Sequence, residues 1–157
     1  MSNTLRLRPL AIEDFHAGFL QVLEGLTEVG EVSEAQFIES FNSLEFSDNK
    51  HILVIEDLDR NIIIATGSLF IEQKFSHGCK KVGHIEDVSV LPNHQKNHLG
   101  ITIVQHLVDY ARDLGCYKVI LQCTEANQSF YEKAGFKRCA TSLSKYFEQP
   151  IVNVETI

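Results

Sequence analysis

GHIEDVSV (Gly83–Val90), LPNH (Leu91–His94) and QKNHLG (Gln95–Gly100) form one continuous run, and its reading decides the fold. Val82 to Val90 is rich in apolar residues and predicts a strand, which Pro92 and Asn93 end. From Leu99 to Leu114 the apolar positions are Leu99, Ile103, Val104, Leu107, Val108, Ala111 and Leu114. Spacings of three and four predict a helix, and Gly115 follows as its C-terminal cap. Strand, short loop and helix start make an anion site. The first helical turn leaves backbone N–H groups unpaired, and the macrodipole adds roughly half a positive charge there. A pyrophosphate suits such a turn. Taken alone, the run reads equally well as an ordinary strand–loop–helix connection.

Upstream, Leu5 to Arg8 alternates apolar and basic residues and predicts a short strand ending at Pro9. Ala11 to Leu26 carries Ile12, Phe15, Phe19, Val22, Leu23 and Leu26 at helical spacing. Ser33 followed by Gln36 predicts a capped second helix that buries Phe37, Phe41 and Leu44. His51 to Glu56 and Ile62 to Phe70 are predicted as a hairpin across Asp57–Asn61, its second strand running on to Phe75. Ser76, His77 and Gly78 break that run. Downstream, Tyr117 to Cys123 predicts a buried strand and Asn127 to Ala134 a short helix stopped by Gly135. Phe136 to Arg138 and Leu143 to Phe147 are expected to close the chain as strands. The order predicts an α/β (α+β) fold, a mixed central β-sheet flanked by helices, in a single domain over 1–157.

Composition narrows the function. The chain has 157 residues, 44% of them hydrophobic, and that is enough to build one core. A net charge of -7 argues against nucleic acid and against an anionic membrane, both of which select for surplus Lys and Arg. The first ten residues hold Arg6 and Arg8 but no apolar leader segment, and no run approaches a membrane span. Cys79, Cys116, Cys123 and Cys139 form no C-x-x-C pair. Reduced thiols in the cytoplasm, several of them packed as small hydrophobes, are the expectation. The seven histidines form no helical ligand pair, so no metal is expected.

The loop Gln95–Gly100 resembles the Q/R-x-x-G-x-G/A signature of the GNAT superfamily of N-acetyltransferases. Gln95 and Gly100 fit it, His98 replaces the middle glycine, and Lys96 stands where relatives often carry another. From about Leu5 to Phe147 the chain is similar to one branch, the glucosamine 6-phosphate N-acetyltransferases. The likeness rests on LTEVG (Leu26–Gly30), EQKFSHGC (Glu72–Cys79), GHIEDVSV, and GCYKVILQC with NQSFYEKAGF between Gly115 and Phe136. The resemblance implies a GNAT fold and acetyl-coenzyme A as cosubstrate. It also implies an amino-sugar phosphate acceptor on the way to UDP-N-acetylglucosamine, and a homodimer whose final strand reaches its partner.

Residue roles follow from the same resemblance. The backbone of Val88, Ser89 and Val90 is implied to hold the pantetheine arm. Gln95, Lys96, Asn97, His98, Leu99, Gly100 and Ile101 are implied to hold the pyrophosphate, with Gln122 and Asn127 completing the cofactor site. Tyr131 is expected to give a proton to the leaving thiolate, since a phenol with pKa near ~10 is neutral at working pH. Glu86 and Asp87 are implied to contact the sugar, Glu86 also drawing the amine proton through water. Adjacent strand residues point to opposite faces, so one carboxylate is expected in the pocket and the other against a neighbour, Asp87 as a contender for a structural ion pair. Thr27, Lys74, Phe75, Ser76, His77, Val88, Tyr117 and Lys118 belong to implied substrate motifs. Lys145 stands where relatives place a phosphate-binding arginine, whose bidentate fork lysine lacks. Two rivals remain, another amine acceptor and a non-catalytic binding module.

Overall fold

The computed structural model describes residues 4–147. Five strands form one sheet in the order β1-β2-β3-β4-β5: β1 Leu5–Pro9, β2 Lys50–Asp57, β3 Ile62–Gln73, β4 Lys81–Val90 and β5 Cys116–Leu121. The first four pair antiparallel and β4 pairs β5 in parallel. A parallel neighbour requires a crossover, which helix α4 (Leu99–Asp113) supplies.

Helix α4 lays Leu99, Ile103, Val104, Leu107 and Ala111 against one sheet face, over Ala65, Leu69 and Ile85. On the other face α1 (Phe19–Leu23) and α2 (Glu34–Glu45) cover Val54 and Ile63 with Phe19, Val22 and Phe37. The α2 start is as the sequence predicts. Ser33 accepts from Gln36 N–H while the Gln36 side chain reaches back to Ser33 N–H. Phe37 is buried and Phe41 and Leu44 are half-buried. A short irregular turn α3 (Ser76–Cys79) joins β3 to β4, and α5 (Glu125–Lys133) follows β5.

Three expectations need correction. The helix foreseen over Ala11–Leu26 is broken at Gly18, which takes a left-handed conformation at φ 88°. The Ala17 carbonyl accepts from Ile63 N–H of the sheet at 2.8 Å, so tertiary pairing replaces a helical bond. What remains is a 3-10 turn at Ile12–Phe15 followed by the five residues of α1. Second, β5 is not buried: Tyr117 and Lys118 are exposed, and residues 136–147 form no strand. Among the described residues nothing pairs with the outer edge of β5, and a strand exists only where a ladder satisfies it. Leu143, Tyr146 and Phe147 are left 93%, 70% and 92% exposed. Third, Cys79, Cys123 and Cys139 are exposed, and only half-buried Cys116 packs against the core, not several of the thiols.

One glycine sets how closely the layers pack. A Cβ built on Gly67 of β3 would lie 2.5 Å from Ile103 Cγ2 of α4. No side chain fits between them. Gly67→Ala is therefore expected to lower stability by about 1–3 kcal/mol, seen as a reduced urea midpoint. An unchanged midpoint would show that α4 is not held by contact at this point.

Candidate active site

Gly67 also faces the irregularity that builds the site. Ser68 pairs with Glu86 and Thr66 with Ser89, so Asp87 and Val88 together oppose one residue of β3. Asp87 carries the extra residue's turn at φ 53°. This is a β-bulge, which bends its strand and re-aims the adjoining side chains. Pairing with β5 ends at Ile85–Leu121, whereas β4 runs on to Val90. From Glu86 to Val90 the β5-side edge of β4 has no strand partner among the described residues. The two strands part here, and the gap is a cleft.

The bulge overturns the expected alternation. Glu86 and Asp87 are both exposed, and neither forms an ion pair among the described residues. A left-handed residue breaks the period of two, so both carboxylates reach solvent at the mouth of the cleft. Ser68 Oγ donates to Asp87 Oδ2 at 3.5 Å. Val88 and Val90 are half-buried on the α4 side. Ser89 is buried, and its hydroxyl donates to the Val22 carbonyl at 2.6 Å. Its side chain therefore fastens α1 to β4, and only its backbone is available to a ligand.

Beyond Leu91, a 3-10 turn over Pro92–Asn97 leads to His98, left-handed at φ 57° and ψ 16°. A residue with a Cβ thus adopts the conformation that a glycine takes most readily. The arch forms despite the substitution. Thr102 N–H is the first amide bonded within α4, to the His98 carbonyl at 3.1 Å. The amides of Leu99, Gly100 and Ile101 precede it, and the His98 side chain at the N-cap does not cap them. Gly100 lets α5 close in, since a Cβ there would lie 3.3 Å from Phe130 Cζ and 3.5 Å from Val90 Cγ2. Gln95 is exposed, its Nε2 3.4 Å from the Val90 carbonyl. The side chains of Lys96 and Asn97, including the charge expected from Lys96, lie outside the described part of the structure.

Tyr131 of α5 lines a pocket beside β5 with Leu121, Gln122, Cys123 and Thr124, and its ring packs against the core beneath α4. Phe130 and Phe136 hold its ring edge-on, with centroids 4.9 and 6.0 Å away. Burial, and then the nearby Cys123 thiol, pushes the phenol above its ordinary pKa. It stays protonated across neutral pH, as a proton donor must. Gln122 and Asn127 are exposed, Asn127 in the first turn of α5. Thr27 follows the end of α1, which is pressed onto β4: a Cβ on Gly25 would lie 3.1 Å from Ser89 Oγ.

The other expected substrate residues gather elsewhere. His77 packs on Tyr117 at 4.4 Å between ring centroids, and Lys118 Nζ sits 5.5 Å over the same ring. Lys74 pairs with Glu72, which also meets His84 Nε2 at 2.8 Å. Lys74 and then His84 hold the Glu72 carboxyl below its usual pKa. Phe75 and Ser76 are exposed. Val82 is the register partner of Lys118, so this cluster lies four residues before Glu86, about 13 Å along the strand. Lys145 is exposed on the unpaired segment 136–147. The segment before Thr27 packs on β4 at Ser89, and Phe130, next to Tyr131, reaches Gly100 of the Gln95–Ile101 turn beside Val90. Lys74, His77, Tyr117 and Lys118 gather at the other end of β4, near Val82.

Sequence reading overlooked Gly67 and Cys123. An isolated glycine inside an apolar strand signals a bulge or close approach and could have marked Gly67. Nothing local marks Cys123 as the neighbour of Tyr131. Among the described residues no cluster of His, Cys, Asp and Glu could hold a metal.

Comparison with known proteins agrees with this geometry. The model of the acetyltransferase (GNAT) family matches residues 13–136. Glucosamine 6-phosphate N-acetyltransferase 1 of Dictyostelium discoideum is 44% identical over 96% of this chain and 96% of its own length. Glucosamine 6-phosphate N-acetyltransferase of Arabidopsis thaliana is 41% identical over 94% of this chain and its full length. The crystal structure of the Arabidopsis enzyme covers 92% of this chain and 99% of its own with a TM-score of 0.89. A Trypanosoma brucei acetyltransferase, 32% identical, gives 0.84 over 91% of this chain and 99% of its own. A strand parted at its bulge, a helix start left open beside it and a match of this breadth agree: the chain is an acetyltransferase and belongs to the GNAT family.

Proposed function

We propose that this enzyme transfers the acetyl group of acetyl-coenzyme A to the amino nitrogen of glucosamine 6-phosphate. The products are N-acetylglucosamine 6-phosphate and coenzyme A, a step toward UDP-N-acetylglucosamine. One observation carries the reading: the open edge of β4 leads from the Glu86–Asp87 carboxylates directly to the uncapped first turn of α4. Acetyl-coenzyme A supplies an activated thioester. The residues present fit its shape, with open amides for a pyrophosphate and an unpaired strand edge for an amide-bearing arm. Leu99, Gly100 and Ile101 N–H groups bind the phosphates, assisted by the Gln95–His98 turn. Val88–Val90 orients the arm as a neighbouring strand would. Gln122 and Asn127 border the arm at the inner end.

Glu86 and Asp87 accept hydrogen bonds from the sugar, and Thr27 adds a hydroxyl from the opposite rim. Glu86 draws the proton from the attacking amine through a water molecule. Tyr131 holds a proton for the sulfur that leaves. Raised pKa values suit it to donate rather than to ionise.

The active assembly is a homodimer in this reading, with each chain acting as one domain over 1–157 in the cytoplasm. Three observations support the dimer. Among the described residues the β5 edge is unpaired, residues 136–147 carry exposed Leu143, Tyr146 and Phe147, and the Lys74–His77–Tyr117–Lys118 cluster stands away from its own carboxylates. In this reading a second copy brings Lys74, Lys118 and Lys145 to a substrate phosphate. No helix among the described residues is long and apolar enough to cross a membrane.

Turnover of glucosamine 6-phosphate against unphosphorylated glucosamine tests the acceptor. The phosphorylated sugar is expected to give the higher kcat/KM by at least about tenfold, a charge-assisted contact's worth; equal values would favour another amine. Tyr131→Phe is expected to lower kcat by on the order of 10²–10⁴-fold while the affinity for coenzyme A stays nearly constant. An unchanged kcat would remove Tyr131 from the proton step. Sedimentation should show a dimer that Tyr146→Asp with Phe147→Asp weakens. A monomeric wild-type enzyme at full activity would overturn the shared-site reading.

A further inference from the structure

A second cavity lies at the β1 edge of the sheet, separated from the cleft by β2 and β3. Its volume is about 580 Å³, and Phe41, Leu44, Lys50, His51, His106 and Tyr110 line it. It exists because β1 ends at Pro9, opposite Leu53, while β2 begins three residues earlier at Lys50. The last cross-strand bond on that edge runs from Leu10 N–H to the Ile52 carbonyl at 2.9 Å. Beyond it, α2 and α4 approach from opposite faces and leave the space between them open.

The lining has a defined chemistry. The whole chain carries a charge of -7, yet among the described residues no lining residue of this cavity is acidic. Lys50 brings an ammonium that makes no ion pair among the described residues. His106 Nδ1 lies 2.8 Å from the Thr102 carbonyl. A carbonyl only accepts, so Nδ1 holds the proton and Nε2 is left for a ligand. Phe41, Leu44 and Leu53 provide an apolar bed.

His51 adds an independent sign. Among the described residues its Nε2 is the one buried side-chain polar atom with no hydrogen-bond partner. Its ring stands edge-on to Tyr110 with centroids 4.8 Å apart, and Tyr110 is itself 39% exposed at the rim. Leaving such an atom unpaired is unfavourable. A ligand hydroxyl or N–H reaching it past a displaced Tyr110 relieves that penalty. Burial lowers the His51 pKa, with Asp48 opposing, so the ring is a neutral acceptor at working pH.

We propose that this cavity is a second ligand site, for a small aromatic acid that carries a hydroxyl or N–H donor. The ring occupies the apolar bed, the anion meets Lys50 at the rim, and the donor satisfies His51 Nε2. Nothing in this assignment depends on which amine the cleft acetylates.

The test is a titration of the ¹⁵N-labelled full chain with 6-hydroxy-2-naphthoate, with coenzyme A present in excess. Saturable amide shifts are expected over Lys50–Leu53 and His106–Tyr110, while Leu99–Ile101 remain still. Methylating the probe hydroxyl, replacing its carboxylate with an amide, or Lys50→Ala should each weaken binding about five- to tenfold. Lys50→Ala should keep wild-type turnover and wild-type shifts elsewhere, which shows that it folds. Absence of saturable shifts, equal affinity for the three probes, or shifts confined to Leu99–Ile101 would overturn the proposal.

Discussion

The contact of Gly67 with Ile103 and the bulge at Asp87 are two sides of one constraint. Helix α4 can lie flush on the sheet only where β3 presents no side chain. At that same level β4 carries an extra residue, and its left-handed turn diverts the strand from β5. Everything chemical in the molecule hangs from this divergence. The freed edge of Glu86–Val90 and the exposed carboxylates beside it are its direct consequences. A regular ladder through Asp87 would keep β4 beside β5 and close the space.

Packing on both sides holds the parted strands in place. On one face Ser89 ties β4 to the Val22 carbonyl of α1. On the other, Gly100 admits Phe130 of α5 to the start of α4. The open amides of Leu99–Ile101 are thus set on a rigid frame, as a pre-organised anion site requires. Farther off, Arg8 binds both oxygens of buried Asp14 at 2.7 and 2.8 Å and shares Glu56 with Arg6. Arg8 and then Arg6 hold the Glu56 carboxyl below its ordinary pKa. This fixes β1 and the turn after it, and so bounds the second cavity where β1 stops.

Much of the site was legible because it is local. The strand to Val90, the breakers at Pro92 and Asn93, and the apolar period from Leu99 each depend on near neighbours. The structure places them as read, within a residue or two. Tyr131 was legible through its motif, and its half-burial suits the role expected of it. The Ala11–Leu26 helix misled because its period is real, yet Ile63 of the sheet takes the Ala17 carbonyl. The closing strands misled for the opposite reason: residues 136–147 have strand-like composition and no ladder among the described residues.

By itself the amino-acid sequence determined the element types, the helix start that can receive an anion, and the family likeness carried by separated motifs. Those features are written in residues close together along the chain. Only the tertiary structure decided that Glu86 and Asp87 both face solvent, that His98 can stand where a glycine is customary, and that Lys74, His77 and Lys118 sit apart from the cleft. Each depends on the register between strands and on which side chain meets which backbone. Such distances are settled by packing of distant segments, and periodicity along one segment does not contain them.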